Sequence, residues 1–146
     1  MNILVGDRLS IERAKGKFKE AETYWRRALE GFERTIRRDH PHTLVSVNNL
    51  GQLLKDQGKF VLAEPFVRRA LEEFERTLGP DHHDTLGSAN NLGLLLNDLG
   101  MLDLVEPFLR RALEGFERTL GRDHPHTARV SARSLRLLLE ALERAK

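Results

Sequence analysis

Six histidines are the side chains of this sequence that most readily suggest metal chemistry. They fall in three short segments rich in aspartate and proline, at His40, His42, His82, His83, His124 and His126. Imidazole nitrogens are common ligands of zinc and nickel. The first histidine of each segment always follows an aspartate, however, and this regularity favours loop packing or helix capping over metal binding. We therefore expect no metal and no other cofactor, and keep the histidines only as a remote alternative.

A second set of polar residues could bind a peptide. Its members recur at a fixed spacing and are Asn48, Asn49, Gln52, Lys55, Asn90, Asn91, Leu94 and Asn97. Each carboxamide can both donate to and accept from an extended peptide backbone. The alternative is that one asparagine of each pair bonds between adjacent helices of the chain itself and holds them together. Lys55 is the main cation of the set, so a clamp for an acidic carboxyl terminus is disfavoured.

Catalytic chemistry has little support in this sequence. The chain has no cysteine, which excludes a thiolate nucleophile, a thiolate metal site and a disulfide framework. No serine lies in a nucleophile-elbow context, and no glycine-rich loop could hold a phosphate. The aspartate-histidine pair occurs three times in the same form, whereas an active site is normally one asymmetric group of residues. We expect that the protein is not an enzyme.

Composition and charge exclude several classes of partner. Of the 146 residues, 40% are hydrophobic and 32% charged, and the net charge is only +2. This small charge gives no support for binding nucleic acid or membranes. No signal peptide and no membrane-spanning segment is recognisable. A cytoplasmic location is therefore the default expectation.

An internal repeat organises the whole chain. The segment 43–84 aligns with 85–126 without gaps, and 28 of the 42 positions are identical. We predict one array of three repeats, 1–42, 43–84 and 85–126, followed by a capping helix over 127–146. Apolar residues at a spacing of three and four predict two helices, A and B, in each repeat, and Gly16, Gly58 and Gly100 are expected to break the helical pattern between them. This gives about seven antiparallel helices, near 2–15, 18–37, 43–57, 60–78, 85–99, 102–120 and 127–145. Asp84 or Thr85 can cap the helix near 85–99.

The motif within these repeats resembles the tetratricopeptide repeat. Asn-Leu-Gly occurs in helix A at 49–51 and at 91–93, and small residues follow in helix B at Ala63 and Ala70. The 42-residue length is similar to the extended repeats of kinesin light chain. The resemblance implies a right-handed α-solenoid whose A helices line a concave groove, and a non-enzymatic scaffold that binds an extended peptide or a partner helix there. It also implies that Asn49 and Asn91 are the leading candidates for contact with such a ligand.

Two further expectations concern packing and assembly. We expect Gly51 to lie opposite Ala63, and Gly93 opposite Val105, where helices A and B of a repeat cross closely. The last helix has a wide apolar stripe formed by Leu135, Leu138, Leu139 and Leu142. This stripe predicts an alternative function, in which the chain is a self-assembling structural module that forms a homo-oligomer through its terminal helices.

Overall fold

The computed structural model describes the backbone of residues 3–144 and the side chains of residues 15–140 and 143–144. Within this part of the chain the secondary structure is entirely helical, which confirms the all-α class. The helices are α1 (Ile3–Thr35), α2 (Pro41–Asp56), α3 (Phe60–Leu78), α4 (His83–Asp98), α5 (Val105–Leu120) and α6 (Pro125–Arg144), and a 3-10 turn at Leu102–Leu104 precedes α5.

The helix α1 differs from the prediction, because the expected helices 2–15 and 18–37 are one continuous helix. Gly16 was predicted to break it, by analogy with Gly58 and Gly100. Those two glycines have φ angles of +76° and +77°, whereas Gly16 has no positive φ. A glycine inside a helix costs only about 1 kcal/mol relative to alanine. Glycine therefore permits a turn at this position but does not impose one.

The helices α2 and α4 both end in the same hydrogen-bonded turn. The amide of Lys59 donates to the carbonyl of Leu54 at 2.9 Å, and the amide of Met101 donates to that of Leu96 at 2.9 Å. This is the Schellman arrangement, which requires a left-handed residue just past the helix end. Gly58 provides that residue after α2. The predicted helix ends at residues 57 and 99 are thus correct to within one residue.

The helix starts are set by histidine. The Nδ1 atom of His40 accepts from the amide of His42, and Nδ1 of His82 accepts from the amide of Asp84, both at 3.1 Å. The same bond joins His126 and His124 before α6. The prediction that Asp84 or Thr85 caps α4 is therefore wrong, while the expectation that the first histidine of each segment is a capping group is confirmed. The capped helices begin two residues earlier than predicted.

The chain divides into two compact units, residues 1–66 and 67–146. In the first unit α1 packs against α2. The apolar side chains of α2 that are fully buried or nearly so are Leu44, Val47, Leu50 and Leu54. The Thr43 hydroxyl, also fully buried, donates to the carbonyl of Arg37 at 3.0 Å and so attaches the start of α2 to the beginning of the loop that follows α1.

In the second unit α4 packs against α5 through two reciprocal close approaches. A Cβ built on Gly93 would lie 2.6 Å from Cδ2 of Leu109, and one on Gly115 would overlap the side chain of Leu86. Each glycine thus makes room for a leucine of the other helix. The expectation that Gly93 faces Val105 is corrected, since the atoms nearest to its missing Cβ all belong to Leu109.

The helix α6 packs on α5. Its buried residues include Thr127, Val130, Ser134 and Leu137. The Thr127 hydroxyl donates to the carbonyl of Phe116 at 3.4 Å. These positions recur every three or four residues, so a single face of α6 is covered by the second unit.

Candidate functional site

The helix α2 presents a polar face beside its buried stripe. Asn48, Asn49, Gln52 and Lys55 are all half-buried, so each shows part of its side chain to solvent. Nε2 of Gln52 donates to Oδ1 of Asp56 over 3.4 Å, a long bond that a ligand could replace at little cost. This face offers mainly carboxamides to a partner.

The helix α4 carries the equivalent face in the second unit. Asn90, Asn91 and Asn97 are half-buried, as their counterparts are in α2. Leu94 differs from the expectation, because only 4% of its surface is exposed. Because a leucine side chain has no polar group, burial of Leu94 in the packed interior is favourable. Leu94 therefore offers almost no contact area to a ligand.

The side chains of the four asparagines have no hydrogen bond to any other residue that the structure describes. This observation bears on the alternative in which one asparagine of each pair joins adjacent helices. A carboxamide that faces solvent without an internal partner gives up only its hydrogen bonds to water when it binds a ligand. Asn48 and Asn49 in the first unit and Asn90 and Asn91 in the second therefore keep their full donor and acceptor capacity.

The charges beside these carboxamides are mixed. The last turn of α2 combines Lys55 with Asp56, and the last turn of α4 has Asp98. Neither face concentrates cations, so a strongly acidic ligand would gain little Coulomb energy from either. The chemistry of both faces suits main-chain amides better than carboxylates or phosphates.

The six histidines serve helix starts and ring stacking. A capping imidazole that accepts at Nδ1 carries its proton on Nε2, and such a nitrogen has no lone pair for a metal. The ring centroids of His83 and His126 lie 5.1 Å apart, and those of His126 and Phe116 lie 4.7 Å apart in a T-shaped arrangement. Burial, followed by unfavourable electrostatic interactions with His83, Arg129 and His124, lowers the pKa of His126. Among the described residues, no three potential ligands are grouped as a metal site would require.

Sequence reasoning missed a cavity of about 630 Å³ in the first unit. It lies between α1 and the end of α2, and its lining residues are Lys15, Phe18, Lys19, Glu22, Asp56, Gln57 and Lys59. The carboxylate of Glu22 is held by Lys59 at 3.6 Å and by Arg26 at 3.8 Å. The cavity depends on the failure of α1 to turn at Gly16, which leaves this end of the helix pair open and which no local sequence signal indicates.

The terminal helix α6 exposes part of the predicted leucine stripe. Leu135 is 50% exposed and Leu139 is 62% exposed, while Leu138 is half-buried. Leu142 lies outside the residues whose side chains the structure describes. Exposed leucines that lie one turn apart form a continuous apolar strip on the helix surface.

No helix among the described residues is both long and apolar enough to span a bilayer.

Comparison with known proteins gives one family and several similar structures. A family model described as tetratricopeptide repeat matches residues 10–72 and 46–118. The crystal structure of kinesin light chain TPR-like repeats from Podosopora anserina superposes with a TM-score of 0.80 at 20% identity, covering 94% of this chain and 68% of that one. A variant of the same protein gives the same values. BtubC from P. vanneervenii has a TM-score of 0.69 at 22% identity, covering 89% of this chain and 56% of that one. No curated protein matches the sequence. The solenoid fold expected from the sequence is thereby confirmed.

Proposed function

Since this chain belongs to the tetratricopeptide-repeat family, we propose that it is a non-enzymatic scaffold that binds an extended peptide or a partner helix through its A helices. Repeats of this family generally mediate protein–protein interaction. The binding residues are Asn48, Asn49, Gln52, Lys55, Asn90, Asn91 and Asn97, and Leu94 is left out because it is buried.

The observation that supports this proposal is the state of the asparagine side chains. Asn49 in α2 and Asn91 in α4 occupy the same position of consecutive repeats, and both are half-buried without an internal hydrogen bond. A side chain that is held by its helix but not used internally loses little conformational entropy when it binds a ligand. Each such asparagine can bond the backbone of a peptide without reading its side chains. The proposal therefore predicts tolerance for many peptide sequences.

The experiment starts from a random peptide library displayed on phage and selected on the immobilised chain. The selected peptide is then titrated against wild type, the Asn49→Ala, Asn91→Ala double variant, and Glu114→Ala as a control on the exposed side of α5. Two lost hydrogen bonds of about 0.5–1.5 kcal/mol each predict a dissociation constant about 5- to 150-fold higher for the double variant. Glu114→Ala should bind like wild type. Equal affinity of the folded double variant and wild type would remove the asparagines from the proposal.

The exposed strip on α6 favours a second candidate function, self-association into a homo-oligomer. Leu135 and Leu139 are the exposed leucines of this helix among the side chains that the structure describes, and burial of one leucine can contribute about 1.5–3 kcal/mol to association. Static light scattering at two protein concentrations tests this function. A mass that rises with concentration supports it, and a monomer at both concentrations removes it.

A further inference from the structure

The outer stripe of α1 is less covered than the same stripe of the other B helices. In α5 the stripe consists of Val105, Leu109 and Ala112, of which at most 1% is exposed. The equivalent residues of α1, shifted by two repeats, are Ala21, Trp25 and Ala28, and all three remain partly exposed. Ala21 and Trp25 differ from Val105 and Leu109, but Ala28 and Ala112 are the same residue, and only Ala28 is partly exposed. The difference at this position therefore comes from what packs on the stripe.

In the second unit, the cover of that stripe is the A helix of the same repeat. Leu109 of α5 is the residue nearest to Gly93 of α4, and Gly115 of α5 leaves room for Leu86. The residue of α1 equivalent to Gly115 is Gly31, and a Cβ built there would meet nothing within 4 Å. We call the space beside this glycine the notch. On α5 the notch is filled by Leu86 of α4, and on α1 it is empty.

The chain cannot supply the cover from its own N-terminal segment in the same way. Residues 3–15 belong to the continuous helix α1 and so do not fold back along it. A fold-back in the repeat register would also place Arg8 and Glu12 at the positions of Leu50 and Leu54, which are fully buried in α2. Burial of two charges without designed partners is costly. The residues that the structure describes therefore leave the stripe of α1 partly exposed.

The helix α6 has an exposed side that corresponds to the side of α4 packed against α5. It aligns with the A helix α4 without gaps, so Ala128 and Leu135 correspond to Leu86 and Gly93, the two positions that face α5 from α4. In α6 both are exposed, and Leu135 is 50% exposed. The described chain thus has one B helix without its A helix, and one A helix with its B-facing side uncovered.

We propose that the chain associates head to tail, with α6 of one copy packed antiparallel on the stripe Ala21, Trp25, Ala28 and Gly31 in α1 of the next. This proposal rests on the self-association suggested above and specifies which surface of the second copy is bound. Such a contact joins two different surfaces, so it leaves one open face at each end and can continue from copy to copy.

The residue sizes define how these helices fit. The repeat register places Ala128 opposite Gly31 and Leu135 opposite Trp25, whereas the internal pair sets leucine against glycine at both points. Two small residues meet at one end and two large residues at the other. The helices therefore approach closely at Gly31 and diverge toward Trp25, which gives a wider crossing than that of α4 and α5. The diverging end lies on the side of the cavity that Phe18 lines.

Two variants, one on each surface, test the proposal by complementation. Leu135→Gln weakens the α6 surface, and Arg133→Gln on the far side of the same helix is its control. Gly31→Leu fills the notch of α1, where open space and a helical backbone should accommodate the new side chain. Sedimentation velocity should show that each of the two interface variants associates at least about tenfold more weakly than wild type, while Arg133→Gln associates like wild type.

The mixture of the two variants is the decisive measurement. Leu135→Gln retains an intact α1 surface and Gly31→Leu retains an intact α6 surface, so an equimolar mixture should form a dimer that grows no further. If Gly31→Leu alone associates like wild type, α6 binds another surface and the head-to-tail proposal is overturned, although self-association survives. If wild type is monomeric at all concentrations, both are overturned.

Trp25 provides a second readout, because it is the only tryptophan of the chain. Its partial exposure in the single copy predicts an emission maximum that shifts to the blue as wild-type concentration rises. The Leu135→Gln variant should not show this shift over the same range. Emission that is independent of concentration, in a sample that sedimentation shows to be associated, would overturn the assignment of α1 as the bound surface.

Discussion

Replacement of Gly93 by alanine should destabilise the second unit, because the new methyl group has no room. The added Cβ would lie 2.6 Å from Cδ2 of Leu109 and 3.4 Å from its backbone nitrogen. Carbon atoms in contact normally lie about 3.5–4.0 Å apart, so Leu109 would have to move by about 1 Å. Leu109 is fully buried, so its side chain cannot move outward into solvent and must displace its neighbours. Overpacking of this kind costs about 1–3 kcal/mol.

The matched control for this variant is Gly87→Ala in the same helix. A Cβ on Gly87 meets nothing within 4 Å, and its φ is not positive. Both variants gain about 0.5–1 kcal/mol of helix propensity, so their difference isolates the steric cost at Gly93. Gly87→Ala should be more stable than wild type, and Gly93→Ala should be about 1–3 kcal/mol less stable than Gly87→Ala.

Urea unfolding followed by far-UV circular dichroism measures both variants. They lie in one helix, so incomplete cooperativity of a repeat array affects them equally. The added substitution Leu109→Ala should relieve the overlap, and Gly93→Ala should then cost less in that background than in wild type. Equal stability of Gly87→Ala and Gly93→Ala, or the same cost of Gly93→Ala in both backgrounds, would refute the close approach.

Two further predictions concern the first unit and the histidine loops. Gly16→Ala should stabilise the chain by about 0.5–1 kcal/mol because Gly16 is inside a helix. Gly58→Ala should destabilise it by about 1–2 kcal/mol because φ at Gly58 is +76°. Thermal unfolding of both variants measures these changes, and two changes of the same sign would contradict the prediction. Burial above all lowers the pKa of His126 from its ordinary value of 6.5. The imidazole of His126 therefore binds a proton more readily in the unfolded chain than in the folded one. The free energy of unfolding should fall as the pH drops from 6.5 through the lowered pKa. His126→Phe should make this decline shallower when urea midpoints are compared at several pH values, and an unchanged slope would show that His126 does not cause it.

The repeat pattern predicted most of the fold because its signals recur. The bounds of α3, 60–78, were obtained correctly from apolar periodicity and two glycines. The same triplet, Gly-Lys-Phe, follows residue 15 and residue 57, yet it turns the chain only at the second place. The difference lies in tertiary packing, since α2 has Leu50 and Leu54 for a buried face where the N-terminal segment has Arg8 and Glu12. A local signal could not distinguish the two.

The candidate site was predictable in its positions but less so in its exposure. Helical period placed Asn90, Asn91, Leu94 and Asn97 on one face, and three of them show surface to solvent. Leu94 does not, because the depth of burial depends on neighbouring helices rather than on the period. The starts of α2, α4 and α6 lie two residues before the predicted ones, although the first histidine of each segment is expected from the sequence to pack in the loop or cap a helix. The sequence does not show which amide the imidazole of His82 accepts from, and that bond sets the start of α4.

The reciprocal glycines of α4 and α5 also fix how these two helices are aligned along their length. Gly93 and Leu86 lie two turns apart on α4, which is about 10.5 Å, and they meet a large and a small residue of α5 respectively. A slip of one turn, about 5.4 Å, would bring leucine against larger residues at both contacts. The pair therefore has one permitted register, and any bending of the second unit must occur outside it.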